Sequence, residues 1–422
     1  MGSGQTVIFH VDVNSAFLSW EAVYRLKHLG GGLDLRTIPA AVGGDAAKRH
    51  GIILASSMPA KACKIRTGQT VAEAVRRCPG LYLVPPNYGL YQRSSDAFFA
   101  ILRQYSPAVE PYSVDEAYMD MSGTAHLYGG PVRAADEIRQ RIFEELGFTV
   151  NVGVGDNKLT AKMASEFEKP YQTHTLFREE IPKKLWPLPV GDLFYVGRAT
   201  AAKLIRLGIH TVGDLARSEP KWLKGYLGKH GETIWGFANG IDNGEVLDQP
   251  EPNKGYGNSA TIPFDVTGRE TARHVLLSLA ETVAARLRAD GVRIRVVSVT
   301  IRNCFFETHG HQVTCSEPTD ITEEIWQYAC KAFEESWDGT PIRHLGIHTA
   351  GVSGSRMRQL GLFDEMDYEK KERMDRAVDE IRERFGHDAV MRASFLGSQV
   401  DHMNGGISRE KRSVDYRKVH VD

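Results

Sequence analysis

The apolar positions of this chain change period several times. Val7-Ile8-Phe9-His10-Val11-Asp12-Val13 is a nearly continuous apolar run and predicts a buried strand. Helical spacing follows over 15–28, and Gly30-Gly31-Gly32 breaks it. Short strands are expected over 38–57, around Gly43-Gly44 and Gly51. Val71 to Arg77 reads as a helix that stops before Pro79-Gly80, and Pro85-Pro86 punctuates again. A helix from about Tyr88 to Tyr105 then leads into a strand–turn–strand over 109–122. An amphipathic helix at 131–146 and a strand from Thr149 to Gly155 complete the first region. That order predicts an antiparallel sheet backed by helices on one face, with Asp12 and Asp115 on neighbouring strands.

Residues 176–244 read as a small helical region of Gly-bounded short helices, and Pro250-Glu251-Pro252-Asn253-Lys254-Gly255 as a linker. A second α+β unit is expected over 256–355. Its strands fall near 257–264, 292–303, 311–315 and 343–352, with helices at 269–289 and 321–336. Beyond it, Met374, Val378, Ile381 and Phe385 step by four, three and four, the mark of an amphipathic helix that binds a partner or folds back on the core. The fold class is therefore α+β and multidomain, as 422 residues would suggest.

Composition adds limits. With 42% hydrophobic and 25% charged residues the chain is that of an ordinary soluble protein. No apolar stretch reaches membrane-span length, so no membrane partner is expected. Met1-Gly2-Ser3-Gly4-Gln5 lacks a signal-peptide pattern and has the look of a vector remnant. Five scattered cysteines without a CxxC pair argue against zinc and disulfides, and for a cytoplasmic setting. Net charge is −1, but it is unevenly spread. Residues 198–229 hold seven Lys/Arg against two acids, and 286–302 hold five Arg against one Asp. Residues 364–388 hold ten acids and six bases. The basic stripes suit either solvated faces or a phosphate backbone.

The richest chemistry lies in Ser113-Val114-Asp115-Glu116-Ala117-Tyr118-Met119-Asp120. In a regular strand Asp115 and Glu116 point to opposite faces; at a hairpin bend both reach one site. With Asp12 they would form a cluster that repels itself unless cations neutralise it. Taken with His10-Val11-Asp12-Val13-Asn14-Ser15-Ala16-Phe17, the segment resembles the signature pair of the Y-family DNA polymerases. The likeness continues through Ser57-Met58-Pro59-Ala60-Lys61-Ala62, Val152 to Lys158, Glu168-Lys169-Pro170, Gly257 to Thr261 and Arg293 to Val299, covering roughly 6–363 in order.

The resemblance implies a right-handed polymerase: palm at 6–15 and 87–175, fingers at 16–86, a helix–hairpin–helix thumb at 176–244, a linker at 245–255, a little finger at 256–355 and a tail at 356–422. It implies error-prone translesion synthesis from dNTPs on primer-template DNA, with no block for proofreading. Asp12, Asp115 and Glu116 would hold two Mg²⁺ ions, with the Val13 carbonyl as a further ligand. Phe17 would be an aromatic gate against the ribose 2′-hydroxyl, and Lys61 and Lys169 would contact the triphosphate. The family usually has arginine where Lys61 stands and tyrosine where Met58 stands, which alters the expected grip on nucleotide.

Gly197 and Arg198 open a segment resembling the phosphate-binding helix–hairpin–helix, with Tyr195 where its first glycine usually stands. Arg293 and Arg295 share one face of a strand and are expected on DNA phosphates. Gln359-Leu360-Gly361-Leu362-Phe363 resembles the pentapeptide that docks bacterial polymerases on the sliding clamp (its β subunit). Gln359, Leu360, Leu362 and Phe363 would make that contact. A monomer is expected. Two rival readings are a clamp-bound scaffold without catalysis, and a palm-type nucleotidyl cyclase prompted by Gly43-Gly44-Asp45.

Overall fold

The computed structural model describes residues 6–44, 51–248, 252–354 and 368–403. The described residues divide into two compact units, formed essentially by 6–43 with 53–248 and by 252–354 with 368–403.

The first unit opens with β1 (Ile8–Val13) and α1 (Ala16–His28). Next come β2 (Ala40–Gly43), β3 (Ile53–Ser56), α2 (Met58–Ala62), α3 (Val71–Arg77) and β4 (Tyr82–Val84). These strands make a three-stranded sheet in the order β3-β2-β4. Gly43 therefore belongs to a different sheet from Asp12, which removes the basis of the cyclase reading; Asp45 lies outside the described residues. Helix α4 (Tyr88–Leu102) precedes β5 (Val109–Pro111), β6 (Glu116–Asp120), α5 (Pro131–Leu146), β7 (Val150–Gly155), α6 (Lys158–Ser165) and β8 (Thr173–Leu176).

The five-stranded sheet runs β5-β6-β1-β7-β8. It is antiparallel except at its edge, where β8 lies parallel to β7. On one face Phe9, Val11, Val13, Val150, Val152 and Val154 pack with α1, α4 and α5 in the largest core. The opposite face carries Ile8, His10 and Asp12, by the alternation of a strand. Helix α6 lies on it, because β7 turns Gly153 and Gly155 that way. A Cβ on Gly153 would overlap the Ala161 carbonyl, and one on Gly155 the Thr160 hydroxyl. Helices thus cover both faces, where the sequence pattern predicts one.

The same α6 contributes Leu159, Met163 and Ala164 to the core of a small helical bundle. That bundle comprises α7 (Ile181–Lys184), α8 (Arg198–Arg206), α9 (Val212–Arg217), α10 (Pro220–Leu227) and α11 (Lys229–Ala238).

The second unit is an antiparallel sheet of order β11-β10-β12-β9. Its strands are β9 (Gly257–Val266), β10 (Ile294–Asn303), β11 (Thr308–Thr319) and β12 (Ile342–Ala350). Helices α12 (Arg269–Ala289) and α13 (Thr322–Ser336) share its core. Helix α14 (Tyr368–Phe385) folds back on this unit, and Phe395 and Val400 of the following segment enter the same core. No described helix is long and apolar enough to cross a membrane.

Candidate active site

Asp115 ends the bend between β5 and β6, and Glu116 is the first residue of β6. Tyr112 and Ser113 N–H groups both donate to the Glu116 carbonyl, which closes the bend. Glu116 pairs directly across from Asp12 in the β1–β6 register. The Val13 N–H donates to the Asp115 carbonyl at 3.0 Å. The three acids therefore meet at one end of two adjacent strands. The Ser113 hydroxyl donates to Asp115 Oδ1 at 2.6 Å.

Two cations face this edge. Lys169 is ion-paired to Asp12 and lies 2.9 Å from Glu166. Lys162, from α6, donates to Glu116 Oε2 at 2.6 Å. His10 Nε2 stands 3.2 Å from the same oxygen, and its Nδ1 lies 2.8 Å from Ser165 Oγ. Burial drives the His10 pKa down to about 4, so the ring is neutral at physiological pH.

The acids respond differently to this setting. Burial raises Asp12 to about 6 despite Lys169, and the Glu166 and Glu116 charges push the same way. Asp115 is raised by burial too, and by the charge of Glu116. Burial would also raise Glu116, but hydrogen bonds from His10 and Lys162 outweigh it and hold the group at about 2. Among the described residues no three His, Cys, Asp or Glu side chains are arranged to hold a metal ion by themselves. The donor set still fits a hard cation. It is all oxygen, two of its carboxylates are short of positive charge, and Mg²⁺ typically takes one or two carboxylates with water and substrate phosphates.

Beside Asp12 lies a cavity of about 320 Å³ lined by Val13, Ser15, Met58, Lys61 and Lys169 among others. Lys61 donates to Ser15 Oγ at 2.9 Å, and its pKa is lowered by burial and by Lys169. Met58 opens α2, whose start is capped by Ser57 accepting from the Ala60 N–H. Phe17 is not among the lining side chains. It is half-buried and stacks on Tyr91 at 4.4 Å with rings 6° from parallel.

Pattern reading missed His10, Lys162, Asn14 and Asn151. His10 shares the face of Asp12 by strand alternation, the one signal that points to it. Buried Asn151 donates to the Ser165 and Glu168 carbonyls and accepts from Asn14, while Asn14 also accepts from the Tyr171 N–H. These bonds fix the loop that carries Lys169, and no spacing rule reveals them.

The expected DNA contacts divide. Gly197 caps the N-terminus of α8, with Arg198 exposed beside it. Tyr195 has φ 74°, the left-handed conformation that glycine takes more cheaply, so it holds the hairpin geometry at a backbone cost. Arg295 is exposed. Arg293 is a correction: it is 8% exposed, with Asp320 and Glu372 each at 3.5 Å. A register shift between Ile294 and Val296 breaks the alternation on which the shared face of Arg293 and Arg295 relied, and α14 covers Arg293. Gln359, Leu360, Leu362 and Phe363 lie outside the described residues.

Comparison with known proteins gives three family matches: the impB/mucB/samB family at 11–166, its helix–hairpin–helix motif at 178–209 and its C-terminal domain at 253–362. DNA polymerase IV of Clostridium acetobutylicum is 41% identical over 92% of this chain and 98% of that protein. DNA polymerase IV of Acetivibrio thermocellus is 39% identical over 92% of this chain and 97% of its own. Among solved structures, the Y-family DNA polymerase chimera Dbh-Dpo4(243-245)-Dbh matches with TM-score 0.71 at 19% identity, covering 82% of this chain and 99% of that one. The chain belongs to the impB/mucB/samB family and has the Y-family DNA polymerase fold.

Proposed function

We propose that this chain is a DNA-directed DNA polymerase of the translesion type, extending a primer 3′-hydroxyl with deoxynucleotides across damaged template without proofreading. The carrying observation is the meeting of Asp12, Asp115 and Glu116 at one end of β1 and β6. Y-family DNA polymerases generally use divalent metal ions. We read this site as taking two Mg²⁺, on the three carboxylates and the Val13 carbonyl. Bound there, the ions would acidify the primer hydroxyl and offset charge on the reacting phosphate.

The rest falls to the chain's own residues. The primer oxygen bonds to the α-phosphorus as the bond to the β-phosphate oxygen breaks and pyrophosphate leaves. Lys162 and His10 keep Glu116 ionised and in one orientation. Lys169 compensates Asp12 before substrate arrives and, with Lys61, offers two cations to the triphosphate. The Phe17 ring, backed by Tyr91, would exclude a 2′-hydroxyl by contact. Gly197, Arg198 and Arg295 would meet DNA phosphates without reading sequence.

The five-stranded sheet with α4, α5 and α6 is assigned to the palm (6–15 and 87–175), 16–86, which includes α1, to fingers, 176–244 to thumb and 256–355 to little finger. Gln359-Leu360-Gly361-Leu362-Phe363 is read as a sliding-clamp peptide, and the enzyme as a cytoplasmic monomer. The test is primer extension with Mg²⁺ on undamaged and abasic templates. Wild type is expected to extend through the abasic site, and Glu116→Ala to bind DNA without extending it. Extension by Glu116→Ala at the wild-type rate overturns the site.

A further inference from the structure

All five cysteines are free, and they divide by burial. In the second unit Cys315 and Cys330 are buried, burial pushes both thiols up to about 12, and Cys304 is half-buried. The first unit holds the other two, at equivalent places: Cys63 is the C-cap of α2 and Cys78 the C-cap of α3. The two helix ends meet. The Arg77 guanidinium donates to the Lys64 carbonyl at 3.2 Å, so the residue before Cys78 is bonded to the residue after Cys63. Cys78 packs in a small core with Ala60 and Ile65, which bracket Cys63 in the chain. Burial, and then a hydrogen bond between the Cys63 and Cys78 thiols, raise the Cys78 pKa. Both backbones are pinned. The Lys64 N–H donates to the Lys61 carbonyl at 2.8 Å, the Cys78 N–H to Ala74 at 2.9 Å and the Leu81 N–H to Cys78 at 3.0 Å. Exposure is unequal, since Cys63 is open to solvent and Cys78 is buried.

One thiol open to solvent with a second in contact is the arrangement that traps a sulfenic acid before further oxidation. We propose that Cys63 and Cys78 are a modification site, a reversible disulfide formed in response to a peroxide, at the end of the helix that carries Met58 and Lys61. Cys63 meets the oxidant first. Its sulfur bonds to one peroxide oxygen as the O–O bond breaks, which leaves Cys63 sulfenic acid and one water. The Cys78 sulfur then attacks the Cys63 sulfur. The S–S bond forms, the S–O bond breaks, and the departing oxygen takes the Cys78 proton and leaves as the second water. The two thiols lose two electrons in all, and the peroxide is reduced to two waters. A dithiol restores them by exchange, so the pair rests reduced in a reducing cytoplasm. The bond ties α2 to α3. Lys61 lies two residues before Cys63 on a helix of five residues, and it lines the cavity beside Asp12 with Met58. A pull on the end of so short a helix shifts both side chains. That consequence for nucleotide rests on the polymerase reading; the disulfide itself does not.

The test is treatment of the full chain with hydrogen peroxide, alkylation of the remaining thiols and mass mapping of tryptic peptides. Trypsin cuts after Lys61, Lys64, Arg77 and Arg93, so the disulfide joins peptide 62–64 to peptide 78–93. The joined pair should be the main product and should vanish with dithiothreitol. Cys63→Ser should form no disulfide, and Cys78→Ala should instead accumulate sulfinic acid at Cys63. In primer extension the oxidised wild type should need about threefold more dNTP for half its maximal rate, because small displacements of positioning groups are felt at a reacting centre. Dithiothreitol should reverse that change, and Cys63→Ser should not show it. Peroxide that leaves both thiols free, or takes Cys63 to sulfinic acid in wild type with Cys78 untouched, overturns the site. A dimer on a non-reducing gel, linked through Cys63, overturns it as well. Joined peptides with an unchanged dNTP requirement overturn the effect on nucleotide. Joined peptides in a chain that extends no primer, reduced or oxidised, overturn the polymerase reading and support the disulfide.

Discussion

The acid edge of β1 and β6 and the underside of α14 both press carboxylates against basic side chains, to opposite ends. Under α14 the partners close on one another. Arg288 holds Asp375 and Asp379, and Glu281 receives Arg382 at 3.4 Å and Arg392 at 2.9 Å. At the edge, Lys169 and Lys162 serve three acids, and Asp12 and Asp115 still stay above the ordinary aspartate range because burial outweighs their compensation. A charge network with its partners in place builds structure. One left short of positive charge next to a cavity is prepared for a ligand, and its acids cost stability until that ligand arrives.

The strongest way to break this contrast is to remove one acid from each side. Asp115→Asn should lower the rate of primer extension at least about 10³-fold, the scale on which loss of one charge-stabilising group is felt at a reacting centre. Its melting temperature should hold or rise, since a poorly compensated carboxylate is gone. Asp375→Ala should do the reverse. It strips Arg288 of one partner and the Thr322 N–H, at the start of α13, of its acceptor. The second unit should lose about 3 kcal/mol, as buried pairs do when one member is removed. Extension on short templates should continue at near the wild-type rate at low temperature. Calorimetry and single-turnover extension on both variants check this, and a shared loss of both properties in either variant would collapse the distinction.

A smaller effect tests whether the edge has any fixed compensation. Lys162→Met keeps most of the aliphatic side chain and removes the ammonium that faces Glu116. Orientation of Glu116 then rests on His10 alone. The rate of the chemical step should fall about tenfold while the apparent affinity for dNTP changes little, the signature of a group that acts through another residue. The second readout is Mg²⁺ titration of the apo protein by calorimetry, which should show altered affinity. A pure rise in KM would instead place Lys162 on the substrate.

These contrasts also explain what could be read from sequence. Strand alternation puts His10 and Asp12 on one face, and the bend that aims Asp115 and Glu116 at one site was one of two open geometries. The parallel edge strand β8 is only four residues of mixed polarity, so no period marks it. Gly153 and Gly155 look like strand punctuation, while their physical use is to admit α6. The stripe of α14 leaves open whether the helix binds a partner or folds back on the core, and the structure folds it back through its charged side. Periodicity ranks apolar positions, but burial here is decided by pairs such as Arg288–Asp379 and Glu281–Arg382, 91 and 101 residues apart. No local pattern holds that information.

Glu21 offers the finest test of how undercompensated charge behaves in this fold. It is buried behind the Phe17–Tyr91 stack, accepts from the Tyr91 hydroxyl at 3.1 Å and lies 3.9 Å from Arg25. Burial outweighs both contacts and raises its pKa from 4.5 to about 7. Between those values the folded chain retains a proton that the unfolded chain has released. Stability therefore falls as pH rises through that window, and the full cost is present above it. Glu21→Gln keeps an acceptor for Tyr91 and has no charge to bury. It should gain on the order of 1 kcal/mol over wild type at pH 8, nothing at pH 4, and flatten the dependence of melting temperature on pH between them. Discrimination between dNTP and rNTP should not change, because the ring behind Phe17 stays hydrogen-bonded. A parallel pH profile in the two proteins would mean that Arg25 compensates Glu21 fully, and that burial alone does not separate charges that build from charges that wait.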